Sequence, residues 1–172
     1  DPKIIQDPKV RIAVARQSHI MFFNIYFPHY VKCETAPFQK EIFSLTENES
    51  KKIVVIAAFR GSAKSTIVTL SYAIWSILGK QQKKFVLIFA QTQAQARQYM
   101  QNLKIELENN RLLRADLGPF EEPDDEWRSS SLVLPKYGAR ITVASSEQSI
   151  RGIRHGPNRH NLIICDEVED IA

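Results

Sequence analysis

Asp166 and Glu167 are adjacent carboxylates at the end of an apolar run, Leu162 to Cys165. Such a run predicts a buried strand that ends in acids. In a nucleotide site, Asp166 would be a metal ligand that holds Mg²⁺, directly or through water. Glu167 would be the catalytic residue that orients and deprotonates the attacking water. The alternative is an ordinary strand that enters a solvated loop.

The segment Ala58 to Ser65 has the spacing of a phosphate-binding loop, in which backbone N–H groups turn inward around phosphates. Alanine stands at both positions where the general pattern has glycine, Ala58 and Ala63, but Gly61 can still take a positive φ. Lys64 would reach the β- and γ-phosphates of ATP, and the Ser65 hydroxyl would bind Mg²⁺. The alternative is a turn that caps a helix. The expected cofactor-binding residues of this loop are Arg60, Gly61, Ser62, Ala63, Lys64, Ser65 and Thr66.

Two further residues upstream could contact the base of the nucleotide. Gln39 has an amide that both donates and accepts, so it can read the adenine edge, and Phe38 could pack near the base. Gln39 could equally be a solvent-facing helix residue. We include Gln39 among the expected cofactor-binding residues.

Arginines form the third group of residues that could take part in the reaction. Arg151 and Arg154 lie three residues apart around Gly152, just before the acidic strand. Arginine neutralises charge on a transferring phosphoryl group and is often supplied by a neighbouring subunit, so both are catalytic candidates. The alternative is a solvated basic loop or a contact to DNA phosphates. Arg60, inside the loop, could sense the γ-phosphate in cis, and we include Arg60 and Lys64 among the catalytic candidates.

The elements that must position these residues alternate between strands and helices. This alternation predicts an α/β fold with a mostly parallel sheet flanked by helices, as in P-loop NTPases of the RecA-like type. We expect one domain, with a helical segment over 1–50 and the P-loop core over 51–172. The predicted helices are Asp7 to about Phe27, Phe38 to Leu45, Thr66 to Leu78, and one opened by Thr92 and Gln95. The predicted strands are Lys52 to Phe59, Lys84 to Gln91, a hairpin of Leu132 to Leu134 with Arg140 to Ala144, and Asn161 to Glu167.

Composition sets wider limits. The chain has 172 residues and a formal charge of +4, which permits a nucleic-acid partner without requiring one. Cys33 and Cys165 have neither disulfide-framework nor zinc-site spacing, which favours a reducing compartment. No apolar run approaches the roughly 18 residues of a membrane span, so we expect no membrane partner. Because the sequence starts at Asp1 rather than at a methionine and stops soon after Glu167, we expect it to be a piece of a longer chain.

Three segments together resemble the large terminase family of tailed bacteriophages: FRGSAKST, VLIFAQTQAQA and SIRGIRHGPNRHNLIICDEVED. The resemblance covers about Thr35 to Asp170. It implies an ATP- and Mg²⁺-dependent ATPase that moves double-stranded DNA, working as a homo-oligomeric ring on the portal protein with a small terminase subunit, in the bacterial host cytoplasm. It also implies an arginine finger among Arg151 and Arg154. The family's coupling motif and its nuclease domain would lie beyond Ala172, so we expect weak ATP hydrolysis, or none, without the coupling segment and neighbouring subunits.

Other functions fit parts of the same pattern. A superfamily-two helicase lobe also has a glutamine motif, a phosphate loop and an acidic strand, but it needs a second RecA-like lobe. A non-catalytic nucleotide-binding scaffold would explain the two missing glycines, although Lys64, Ser65, Asp166 and Glu167 are all present. A DNA-binding module is disfavoured because the basic excess is small and no groove-reading helix stands out.

Overall fold

The computed structural model describes residues 6–121, 127–146, 157 and 159–167. The chain divides into two compact units, residues 1–80 and 81–172. The predicted phosphate loop, Ala58 to Ser65, lies in the first unit, and the acidic strand end, Asp166 and Glu167, lies in the second.

In the first unit, every described element of regular secondary structure is helical. It contains α1 (Pro8–Gln17), α2 (His19–Tyr26), a short 3-10 turn (Pro28–Tyr30), α3 (Pro37–Glu47), a π-helix (Thr66–Tyr72) and α4 (Ala73–Leu78).

The predicted single helix from Asp7 to about Phe27 is two helices. Its predicted start is confirmed, because the Asp7 side chain caps α1 by accepting from the Lys9 N–H at 2.8 Å. The chain is extended at Ser18, where the Ser18 hydroxyl and the His19 N–H both donate to Glu47 Oε1 at 3.0 and 2.6 Å. A carboxylate distant in sequence therefore caps the start of the second helix.

The predicted strand from Lys52 to Phe59 is wrong. The described residues of this segment form no strand, and the exposed fractions of Ile53, Val55 and Phe59 are 87%, 86% and 66%. A strand needs a neighbouring strand to satisfy its backbone groups, and none pairs with this segment among the residues that the structure describes.

The predicted helix from Thr66 to Leu78 is confirmed in extent, and Gly79 follows it. Lys64 and Ser65 are already helical, and from Thr66 to Tyr72 the backbone takes the wider i→i+5 hydrogen-bond pattern. π-helical segments are rare and often occur at functional sites.

The second unit contains a sheet of four described strands in the order β2-β3-β1-β4. They are β1 (Phe85–Ala90), β2 (Ser131–Leu134), β3 (Ala139–Ser145) and β4 (Leu162–Asp166). β1 pairs in parallel with β3 and β4, whereas β2 and β3 are antiparallel. Two helices accompany them, α5 (Gln93–Asn109) and α6 (Arg111–Leu117).

Sequence patterns in this unit agree with the structure. The hairpin forms with Gly138 at φ 55, a left-handed value that suits glycine. Thr92 caps α5 by accepting from the Gln95 N–H at 3.2 Å. The predicted apolar face of α5 is buried, and the helix packs on β1 and β3. That face consists of Ala96, Met100, Leu103 and Leu107.

The fold class is therefore α/β with a mostly parallel open sheet and helices, as predicted. The narrower assignment to P-loop NTPases stays a prediction.

Candidate functional site

The backbone of the phosphate loop turns twice through positive φ. Gly61 has φ 86, as expected for a glycine in this loop, and Ala63 has φ 64. Between them, the Ser62 N–H donates to the Phe59 carbonyl at 3.2 Å, and Ser62 is buried. Backbone N–H groups in turns that include left-handed residues can bind an anion, but the Ser62 N–H is already paired with the Phe59 carbonyl. Ala63 stands where the general pattern has glycine, so a conformation that favours glycine is present without the glycine.

A hydrogen-bonded glutamine joins the loop to α3. Gln39 Nε2 donates to the Ser62 carbonyl at 3.1 Å, and Gln39 Oε1 accepts from the Ala36 N–H at 3.0 Å. Next to it, Phe38 meets Phe59 edge to face with ring centroids 5.3 Å apart. The structure thus gives Gln39 a structural contact with the loop, and its contact with adenine stays a prediction.

The polar residues after the loop lie at the start of a helix. Lys64, Ser65 and Thr66 are half-buried, whereas Arg60 is exposed in the turn. The first N–H groups of a helix lack partners within it, and the helix dipole adds partial positive charge. This end of the helix therefore favours an anion beside Lys64.

The second group of predicted residues lies at the carboxyl end of β4. Asp166 pairs in register with Ala90 of β1 and is 5% exposed. The Tyr99 hydroxyl donates to Asp166 Oδ2 at 3.3 Å. The prediction of a buried strand before Asp166 is wrong in part: β4 is the last strand in the described order, and Ile163 (56% exposed) and Cys165 are exposed. The strand still brings Asp166 to a largely buried position.

Glu167 leaves the strand in a different conformation. Its φ is 49, a left-handed value that a non-glycine residue seldom adopts. The side chain is exposed, and Gln95 Nε2 donates to Glu167 Oε2 at 3.0 Å. Backbone strain of this kind often marks functional positions.

The carboxylates change the electrostatics of Tyr99. Burial raises the pKa of the Tyr99 hydroxyl, and the negative charges of Asp166 and Glu167 raise it further. Tyr99 therefore stays protonated and serves as a hydrogen-bond donor to Asp166.

Gln95 and Tyr99 were not predicted as site residues. Gln95 was identified only as a helix-capping residue, and its contact with Glu167 spans 72 positions of sequence. The only sequence signal for the pair is its i, i+4 spacing on a helix that follows a buried strand. Arg151 and Arg154 lie outside the described residues, so their predicted role stays a prediction.

The Asp166 carboxylate is an oxygen donor of the kind that binds Mg²⁺ in proteins. Mg²⁺ is commonly bound through one or two carboxylates together with substrate phosphates and water. Within the described ranges, no three His, Cys, Asp or Glu side chains gather as a metal site. In the second unit, Asp166 would supply such a ligand, and the predicted role of the Ser65 hydroxyl in the first unit stays a prediction.

The chain matches no protein-family model and no curated protein. Among the described residues, no helix is long and apolar enough to cross a membrane.

Proposed function

We propose that this chain binds ATP with Mg²⁺ and hydrolyses it, as an ATPase domain of the P-loop class. The observation that carries the proposal is the backbone at Ala63. A left-handed alanine costs about 1–2 kcal/mol, and here it occupies a consensus glycine position directly before Lys64. A strained loop that opens onto a helix start is a suitable cradle for phosphates.

Each predicted residue has a role in this proposal. Lys64 contacts the phosphates, with Arg60 beside them, and Ser65 and Asp166 are ligands for Mg²⁺. Glu167 acts as general base toward the attacking water. When bound, Mg²⁺ neutralises charge on the phosphates. Arg151 or Arg154 supplies positive charge to the transferring group.

The wider proposal follows from the order of the motifs. The loop, the acidic strand end and the arginine segment between them resemble the large terminase family. We therefore propose that ATP hydrolysis moves double-stranded DNA, in the host cytoplasm, within a ring that contacts a portal protein and a small terminase subunit.

Calorimetry with Mg²⁺ and ATP tests the nucleotide site. We expect binding by the unmodified chain, loss of binding in Lys64→Ala, and retained binding in Glu167→Gln. Lys80→Ala is the matched control, because Lys80 is an exposed lysine of the same unit. Equal binding by Lys64→Ala and Lys80→Ala would contradict the proposal.

ATP turnover with and without linear double-stranded DNA tests the wider proposal. A motor domain should hydrolyse ATP faster when DNA is present, and the increase should shrink as salt rises, because phosphate contacts are salt-dependent. An ATP hydrolysis rate that is the same with and without DNA would be compatible with the nucleotide site but would argue against translocation.

A further inference from the structure

Two residues at the start of α5 lie beside the acidic end of β4. β1 and β4 are parallel and in register, with Ala90 next to Asp166. α5 begins at Gln93, three residues after β1 ends. Because parallel strands end at the same edge of a sheet, the first turns of α5 lie at the edge that carries the carboxylates.

Gln95 holds the carboxylate of Glu167 by one oxygen. Its Nε2 donates to Glu167 Oε2 at 3.0 Å. Gln95 Oε1 is buried and has no hydrogen-bond partner among the described residues. A buried polar atom left without a partner lowers stability, so folding stability alone does not account for a glutamine at this position.

Tyr99 holds the other carboxylate from the same side. Its hydroxyl donates to Asp166 Oδ2 at 3.3 Å. Residues four apart on a helix are neighbours on one face, so Gln95 and Tyr99 form a continuous polar edge. Ala96 and Met100, each one residue further on, face the core instead.

We propose that Gln95 and Tyr99 are positioning residues for Glu167 and Asp166, and this inference rests on the proposed ATPase function. Glu167 is exposed and lies past the end of the strand, so its carboxylate would rotate freely without Gln95. The hydrogen bond fixes Oε2 and leaves Oε1 available to accept a proton from water. Tyr99 fixes Asp166 Oδ2 in the same way, and Asp166 would hold Mg²⁺.

Steady-state ATP hydrolysis by the purified protein separates this role from a structural one. We expect Gln95→Ala to lower kcat roughly tenfold or more, as removal of a partner that orients a site residue commonly does, with KM for ATP unchanged. Gln95→Glu should lower kcat further, because it removes the donor and adds a like charge. Tyr99→Phe should raise the Mg²⁺ concentration for half-maximal rate roughly tenfold.

Gln98→Ala is the matched control, since Gln98 is an exposed glutamine of α5 that bonds Asn102 on the same helix. Its kinetic constants should equal those of the unmodified protein. Thermal melting of each variant checks that the fold is retained. Unchanged kcat in a folded Gln95→Ala, or a change in KM alone, would overturn the role of Gln95.

Failure of the ATPase proposal has a different signature. Hydrolysis by the unmodified protein that equals that of Lys64→Ala would overturn the proposed function and this inference with it. Hydrolysis that depends on Lys64 but not on Gln95 or Tyr99 would overturn the inference alone.

Discussion

His19 Nε2 lies 3.0 Å from Ser71 Oγ, so a buried imidazole on α2 contacts the π-helix that follows the phosphate loop. Its other nitrogen, Nδ1, lies 2.7 Å from Thr46 Oγ1 on α3. The Thr46 hydroxyl donates its one proton to the Phe43 carbonyl, so its oxygen accepts from His19 Nδ1. Because Nδ1 carries the proton of the neutral ring, His19 Nε2 accepts from the Ser71 hydroxyl. His19 therefore joins three helices as a neutral ring with one defined tautomer.

Stability should fall in acid because of this histidine. Burial lowers the pKa of His19 from 6.5 to about 3. In acid, the unfolded chain therefore binds a proton at His19 that the folded chain excludes. The contribution of His19 to the free energy of unfolding is complete above pH 6.5 and is lost as pH falls toward 3. The loss attributable to His19 approaches about 1.4 kcal/mol per pH unit. Denaturant unfolding at several pH values measures it.

The matched variants are His19→Gln and His29→Gln, the second at an exposed position. His19→Gln should flatten the dependence of the unfolding free energy on pH, whereas His29→Gln should leave it in place. The same pH dependence in both variants would show that other groups cause the loss in acid.

Glu47 should contribute strongly to the stability of the first unit, because it links the end of α3 to the start of α2. It accepts from the His19 N–H and the Ser18 hydroxyl at the start of α2, although it lies at the end of α3. Glu47→Ala leaves those donors without this acceptor and should lower the free energy of unfolding by about 1–2 kcal/mol. Glu41→Ala, at an exposed position of the same helix, should change it by less than about 0.5 kcal/mol. Chemical denaturation compares the two, and equal effects would argue against the capping role.

Gly79 should not tolerate a side chain. A Cβ at this position would lie 2.6 Å from Trp75 Nε1 and 2.7 Å from the Trp75 carbonyl. Trp75 is buried, and its Nε1 donates to the Ala15 carbonyl at 2.9 Å, so moving the ring would break that bond. Gly79→Ala should cost about 1–3 kcal/mol. Lys80→Ala, one residue away and exposed, is the control in thermal unfolding, and equal melting temperatures would contradict the packing argument.

Local patterns predict much of the second unit. The uninterrupted apolar run of β1 indicates a strand covered on both faces, and all but one of its residues are buried. The spacing of apolar residues in α5 correctly predicts which face of the helix is buried. Gly138 marks the hairpin turn, because a left-handed residue is needed there. Each of these features depends on neighbours within a few residues.

Features that depend on distant residues could not be predicted in this way. At the break between the first two helices, Ser18 bonds Glu47, 29 residues later. The run from Lys52 to Phe59 has the composition of a buried strand, but composition does not say which strand will pair with it. At the candidate site, the carboxylates were predicted from their position after an apolar run, whereas Gln95 was found only through its contact with Glu167.

Ala63 offers the most direct test of strain in the phosphate loop. Its φ of 64 is unfavourable for alanine but free of cost for glycine. Ala63→Gly should therefore raise the free energy of unfolding by about 0.5–1 kcal/mol, even though glycine adds entropy to the unfolded chain.

Ala13→Gly is the matched control for Ala63→Gly. Ala13 is exposed within α1, where glycine should instead cost about 0.5–1 kcal/mol. Urea denaturation of the two variants should thus give changes of opposite sign. If Ala63→Gly destabilises the chain as much as Ala13→Gly does, alanine is not strained at position 63. The backbone of the loop would then no longer support a phosphate site. If the signs differ and ATP binding persists in Ala63→Gly, the loop tolerates glycine at the position where other phosphate loops have it.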